Sequence, residues 1–167
     1  MTARIVVHYG DLKPILAEAR RGSRTVALTN GCFDLLHVGH VRLIRDASGL
    51  ADLLVVALNS DASAHDNKGA GRPVVPLSER MQVVAALAGV DYVTGFDEPT
   101  AAGVLDGLRP DIHVKGTDWT ADTVPERDIV LAYGGRIEIA GDAKSHSSSD
   151  LILRLQAREP GSRSRPA

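Results

Sequence analysis

Read from its sequence alone, the chain is an α/β protein built on one open parallel sheet with helices on both faces. Three observations carry this. Strand-like and helix-like segments alternate along most of the 167 residues. The run Asp52-Leu53-Leu54-Val55-Val56-Ala57-Leu58 is almost continuously apolar, as expected of a parallel strand covered on both faces. Polar, glycine-containing segments follow the strand patterns, where such a sheet opens its ligand crevice.

The elements follow in order. Asp11 is placed to cap a first helix in which Leu12, Ile15, Leu16 and Ala19 form an apolar stripe. Residues 26–29 make the first core strand, and a helix over 41–47 follows. Residues 52–58 are the second strand. A helix over 77–88 turns Met81, Val84, Ala85 and Ala88 to the core. A short strand over 91–94 leads to a helix over 100–108 that Thr100 is placed to cap. A strand over 111–114 precedes a helix over 125–133, with Pro125 suited to its first turn. Gly134-Gly135 ends that helix, residues 136–139 form the last strand, and residues 150–156 form a closing helix.

Composition bounds the function. A hydrophobic content of 44% suits a single globular domain, expected over 1–156. The polar, breaker-rich remainder, 157–167, is expected to be a disordered tail whose arginines have at most a weak role in binding anions. A formal net charge of −2 provides no global basic field for nucleic acid. The single cysteine allows no internal disulfide, which fits a reducing compartment. No signal peptide and no apolar run of bilayer length is apparent, so a cytoplasmic location without membrane contact is expected.

The most informative stretch is Thr29-Asn30-Gly31-Cys32-Phe33-Asp34-Leu35-Leu36-His37-Val38-Gly39-His40. It runs from a strand through a tight turn into a helix start. Free N–H groups and the positive end of the helix dipole favour anions there. His37 and His40 are three apart and share one helix face. Gly39 removes a side chain where a ligand could approach the backbone. Imidazoles and N–H donors together suit a phosphate whose charge grows in a transition state. A histidine pair alone is equally a helix cap or a solvated surface. Zinc finds no second ligand cluster to join Cys32 and His37, and no metal-binding residues are assigned.

Other segments lie at strand ends or helix starts. Asn59-Ser60-Asp61 is either turn chemistry or part of a site. Lys68-Gly69-Ala70-Gly71-Arg72-Pro73 is a solvated loop or a mobile cover bringing Lys68 over a polyphosphate, and the preceding 64–67 reads as a polar loop. Arg80 can reach phosphate oxygens with its planar fork or sit in solvent. Lys115-Gly116-Thr117-Asp118-Trp119 offers a tight turn, an acceptor for a ribose or base, and a ring to cover one. The hydroxyls of Ser145-His146-Ser147-Ser148-Ser149-Asp150 make an N-cap or a second phosphate site.

Taken together, Thr29 to His40, Asn59-Ser60-Asp61, Lys68-Gly69 with Arg72-Pro73, Arg80, Val90-Asp91-Tyr92-Val93 and Lys115-Gly116 resemble the cytidylyltransferase-like nucleotidyltransferases. Within that superfamily the Thr-Asn-Gly-Cys-Phe-Asp string is most similar to the bacterial D-glycero-β-D-manno-heptose 1-phosphate adenylyltransferases. The resemblance covers about residues 5 to 156 and implies a single Rossmann-like nucleotidyltransferase domain. It implies that a sugar 1-phosphate attacks the α-phosphorus of ATP, giving an ADP-sugar and pyrophosphate, with Mg²⁺ bridging the polyphosphate. His37, His40, Lys68 and Arg80 are then the catalytic set. Thr29, Asn30, Gly31, Cys32, Phe33, Gly39, Lys115, Gly116, Asp118, Ser147 and Ser148 bind the nucleotide. Asp34, Asn59, Asp61 and Arg72 bind the sugar substrate.

The chain departs from the heptose branch at Thr117, where a glycine is common, and at Ser147-Ser148-Ser149, where Ser-Thr-Thr is common. Many relatives carry a fused sugar kinase. None is present in this chain, so a separate kinase is expected to supply the sugar 1-phosphate. A homodimer is the expected assembly. Two alternatives stand beside this reading. One is a cytidylyltransferase acting on a polyol phosphate or another sugar phosphate. The other is a nucleotide-binding module without catalysis, which the intact His37, Gly39, His40, Lys68 and Arg80 argue against.

Overall fold

A computed structural model describes residues 2–142 and 147–157. The strands are β1 (Arg4–His8), β2 (Val26–Gly31), β3 (Leu53–Asn59), β4 (Tyr92–Phe96), β5 (Ile112–Gly116) and β6 (Arg136–Ala140). The helices are α1 (Leu12–Arg21), α2 (Val38–Ser48), α3 (Asp61–Lys68), α4 (Leu77–Ala85), α5 (Ala102–Leu108), α6 (Arg127–Ala132) and α7 (Ser148–Gln156). All strand pairs are parallel, in the order β1-β4-β3-β2-β5-β6. The expected single α/β domain with an open parallel sheet is what the chain forms.

Burial explains why these segments pair. Every residue of β3 is buried, as its continuous apolar run requires. One face of the sheet packs Ala27, Leu54, Val56 and Ile112 against Ile44 and Ala47 of α2 and Met81 and Val84 of α4. The other face packs Leu28, Leu53, Val55 and Ala57 against Leu12 and Leu16 of α1, Val104 and Leu105 of α5 and Val130 of α6. Aspartates close the strand entrances. Asp52 accepts the Thr25 N–H, Asp91 accepts that of Leu54, and Asp111 accepts that of Val26, each at 2.8 Å.

Two elements depart from the sequence reading. β1 is an additional strand at the sheet edge, with only Val6 buried, and it is held by its pairing with β4. α3 replaces the expected polar loop over 64–67. Polar bonds, rather than an apolar stripe, hold it. Ser60 Oγ accepts the Ser63 N–H at 3.3 Å, Ser63 Oγ donates to the Glu98 carbonyl at 2.9 Å, and Asn67 Nδ2 donates to the Pro99 carbonyl at 3.3 Å. Smaller differences concern helix ends. Asp11 precedes α1 without a side-chain cap bond, because the chain enters from a 3-10 turn over Tyr9–Asp11. α5 begins at Ala102, and Thr100 Oγ1 takes the Ala102 N–H at 3.4 Å.

The topology positions the site. From β2 the chain steps outward through β3 to β4, then crosses back and steps the other way through β5 and β6. The winding therefore reverses between β2 and β5. The β2–β5 pairing ends at Thr29 with Val114, whereas the β2–β3 pairing continues to Gly31 with Leu58. The parted ends of β2 and β5 open a crevice of ≈ 760 Å³ over the C-terminal edge of the sheet.

Candidate active site

The turn after β2 forms the centre of the crevice. Phe33 adopts a left-handed backbone, φ 47°, and its buried ring lies 5.2 Å from that of His40. This strained turn sends the chain directly into α2. His37 is the N-cap of α2 and His40 its third residue, so both rings stand at the helix N-terminus. The rings stack with centroids 3.9 Å apart and planes 29° apart. A Cβ on Gly39 would stand 3.0 Å from His37 Nδ1 and 3.1 Å from its Cε1. The glycine therefore makes room for the His37 ring itself, a more immediate requirement than backbone approach by a ligand.

His40 is neutral at ordinary pH. Burial, then the adjacent His37 and then the Lys68 charge push its pKa down to about 4. Its Nδ1 accepts the His37 N–H at 3.4 Å, so the neutral ring carries its proton on Nε2. The neutral ring is then a hydrogen-bond donor through Nε2, the form that suits a phosphate oxygen.

Asp34 shapes the wall beside this turn. Its carboxylate is 1% exposed, lies 2.6 Å from Arg72 Nε, and accepts the Val74 and Val75 N–H groups at 2.9 Å. Burial alone would raise its pKa. The two N–H groups and the guanidinium outweigh that and hold the carboxyl below its ordinary value. Asp34 lines the crevice but already serves as the anchor of the 72–75 segment.

Arg80 and Asp61 are placed differently from the expectation that they meet substrate. The Arg80 guanidinium is fully buried and donates to the Val75 carbonyl, to the Cys32 carbonyl and to Asp61. Asp61 also accepts the Leu77 N–H at 2.8 Å. Neither side chain lines the crevice; Arg80 ties the loop after β2 to α4, and Asp61 ties the start of α3 to the start of α4. This placement is beneath the crevice: each of the three guanidinium nitrogens of Arg80 donates to the protein. Thr29 is likewise buried and absent from the wall.

The remaining expected residues converge. Asn30, Gly31, Cys32, Phe33, Gly39, Asn59, Lys68, Arg72, Lys115, Gly116, Asp118, Ser147 and Ser148 all line the crevice with both histidines. Lys68 is the last residue of α3, where a loop is expected, and among the described residues it has no carboxylate partner. Its charge reaches both His40 and Cys32. Ser148 Oγ donates to the Leu35 carbonyl at 2.9 Å, seating the start of α7 over the histidine turn. Ser145 and His146 lie outside the described residues, as does the tail from 158 onward.

Sequence reasoning missed part of the wall. Glu126, just before α6, is buried and stands 3.5 Å from Lys115 Nζ. Asp142 pairs with Arg42, and its carbonyl accepts Thr117 Oγ1 at 2.7 Å. Thr100 and Asn67 also face the crevice. No sequence spacing relates these residues to the histidine turn. Trp119, the ring expected to cover a base, lines the crevice; it is 38% exposed, with Lys115 Nζ 5.7 Å from its ring centre. Among the described residues, no group of three or more His, Cys, Asp or Glu could hold a metal ion.

An anion-directed helix start at the switch point of a doubly wound parallel sheet defines a nucleotide-type site. The sequence profile of the cytidylyltransferase-like family matches residues 28–163, and the chain belongs to that family. It is 48% identical over 145 residues to the "Bifunctional protein HldE" of Syntrophotalea carbinolica, covering 87% of this chain and 30% of that protein. It is 42% identical over 156 residues to the HldE protein of Alkalilimnicola ehrlichii, covering 93% of this chain and 33% of that protein. The chain thus spans about a third of the length of these relatives. Two solved structures share the fold. The lipopolysaccharide core biosynthesis protein from Thermoplasma volcanium superposes with a TM-score of 0.63 at 24% identity, over 72% of this chain and 99% of that one. Pantothenate synthetase from Thermus thermophilus superposes with a TM-score of 0.64 at 16% identity, over 92% and 70%. The match places the chain among the cytidylyltransferase-like nucleotidyltransferases.

Proposed function

We propose that the chain transfers the adenylyl group of ATP to a sugar 1-phosphate, with a heptose 1-phosphate as acceptor, releasing pyrophosphate. The observation that carries this reading is the stacked pair His37 and His40 at the α2 N-terminus, facing the switch-point crevice beside Lys68. An acceptor phosphate oxygen attacks the α-phosphorus. The bond from that phosphorus to the bridging oxygen breaks, and pyrophosphate leaves with the electron pair. No group of the protein needs to become covalently attached. Catalysis is alignment of the reactants and stabilisation of charge on the phosphoryl oxygens.

The residues divide this work. His40 Nε2–H, His37 and the N–H groups of the helix start meet the charge that builds between the α- and β-phosphates. Lys68 neutralises the outer phosphates or the incoming sugar phosphate. The segment from Lys115 to Trp119, with Ser147 and Ser148, holds the nucleoside and its phosphates. Mg²⁺ would enter with the triphosphate as part of the substrate, where it would neutralise phosphate charge. The acceptor must arrive phosphorylated, so a sugar kinase, on another chain or elsewhere on a longer one, precedes this step.

The preference for ATP and a heptose acceptor rests on the Thr29 to Asp34 string and on identities of 42–48% with proteins named HldE. A second reading, cytidylyl transfer to a polyol phosphate or another sugar phosphate, draws on Thr117, whose hydroxyl ties the base-side loop to Asp142. A pyrophosphate-release screen of four nucleoside triphosphates against sugar and polyol phosphates separates the readings. Adenylyl transfer predicts the fastest release with ATP and a heptose 1-phosphate. Release that is as fast with CTP fails the base assignment and leaves nucleotidyl transfer standing. Silence across the panel fails the enzyme reading.

A further inference from the structure

Beneath the crevice, where β2 and β5 part, lies a polar group that the reaction above does not use. His113 sits on β5 opposite Leu28, flanked by the apolar Ile112 and Val114, and is 0% exposed. Its Nε2 lies 3.0 Å from Asn30 Oδ1. Lys115 Nζ lies 3.2 Å from the same oxygen and 3.5 Å from Glu126 Oε2. Glu126 in turn accepts the Ala101 N–H at 3.3 Å.

The chemistry of these neighbours fixes the Asn30 amide. An ammonium group offers only hydrogens, so the atom facing Lys115 must be the carboxamide oxygen. His113 faces that same oxygen and must therefore donate to it through Nε2–H. Burial, then the Lys115 charge, push the His113 pKa down to about 3, so the ring is neutral and its Nδ1 is bare. That Nδ1 is buried and has no hydrogen-bond partner. A leucine would fill the strand position without that penalty, so packing does not account for the histidine. With both lone pairs of Oδ1 taken, the Asn30 NH₂ group is left over. It donates to no acceptor among the described residues, and Asn30 lines the crevice.

We infer that His113 is a positioning residue that locks the Asn30 carboxamide with its NH₂ toward the crevice, where it donates to a phosphate oxygen of a bound substrate. The phosphate identity rests on the function proposed above. The oxygen belongs either to the nucleotide or to the sugar phosphate, and binding measurements distinguish these sources.

Nitrogen-15 NMR of the ligand-free protein tests the lock directly. The proposal expects His113 in the Nε2–H tautomer. A proton on Nδ1 overturns it. Calorimetric titration with MgATP, and separately with heptose 1-phosphate, tests the consequence. His113→Phe weakens one of these ligands about tenfold, the loss of one hydrogen bond to a charged group. His113→Gln, which returns a donor near Nε2, restores affinity to within about twofold. Asn30→Asp keeps the bonds to His113 and Lys115 but turns an oxygen to the ligand, and it weakens the same ligand at least as much. Unchanged affinity in a folded His113→Phe, or failure of glutamine to rescue, overturns the proposal. If His113→Phe does not fold, wild-type Asn30 side-chain amide resonances decide. A shift on titration with either ligand supports the proposal, and none with both overturns it. Wild-type protein that binds neither ligand fails the proposed function instead, while the tautomer still decides the lock.

Discussion

His40 has the electrostatics of a donor, not of a cation. With its pKa pushed down to about 4 and its Nδ1 taken up by the His37 N–H, it meets a phosphate at neutral pH through Nε2–H. In the proposed reaction such a donor matters most where charge develops, between the α- and β-phosphates. His40→Ala and His37→Ala are therefore expected to lower kcat by a factor on the order of 10²–10³ while changing the Kd for MgATP much less. Steady-state turnover beside calorimetric binding checks this. Near-normal kcat in both variants contradicts the assignment of the turn as the reaction centre. This turn was the most legible part of the site, because strand end, left-handed turn, cap and helix start are contiguous between Thr29 and His40. Arg80 was not legible in the same way. A cation at a helix start looks like a phosphate ligand in sequence, and only the packed fold shows its donors turned toward Cys32, Val75 and Asp61.

At the level of elements, the crevice wall depends on how the segment between α3 and α4 is fastened. Asp34 is its anchor, since one buried carboxylate accepts Arg72 and two backbone N–H groups. Asp34→Ala strands a guanidinium and two amides, and breaking a buried pair in this way costs about 3–5 kcal/mol. The variant should show a lower urea midpoint, together with faster amide exchange at Val74 and Val75. A midpoint within error of wild type contradicts the anchoring role. The elements the sequence concealed share one cause. β1 buries only Val6 and is defined by its partner strand, and α3 is secured by Ser60, Ser63 and Asn67 instead of an apolar stripe. Periodicity reports burial, so an exposed edge strand and a polar helix leave little trace in it. β3, with every residue buried, was plain for the same reason.

Across the whole molecule, the same buried groups that prepare the site make the fold sensitive to acid. His40 titrates at about 4 and His113 at about 3 in the folded chain, against an ordinary value of 6.5. Between these limits the unfolded chain binds protons at both positions and the folded chain does not. Stability therefore rises with pH across the window from about 4 to about 6.5, and is lost as the pH falls through it. The lowered Asp34 value adds a loss in the same direction at still lower pH. Urea midpoints measured from pH 7 to pH 4 should fall steadily, and His113→Phe should flatten the slope. Midpoints that hold or rise toward pH 4 contradict this.

The rest of the crevice became visible only at this scale. Glu126, Thr100 and Asp142 come from separate strand-to-helix connections and line the same crevice as the histidine turn, where β2 parts from β5. Nucleotidyl transfer at this junction is followed by incubating the protein with α-³²P-labelled ATP, Mg²⁺ and a heptose 1-phosphate and tracing the label. Label should enter an ADP-sugar with one pyrophosphate released for each molecule formed, and both should slow by a factor on the order of 10²–10³ in His40→Ala. Label that stays in ATP, or that moves to water to give AMP with the acceptor untouched, contradicts that transfer.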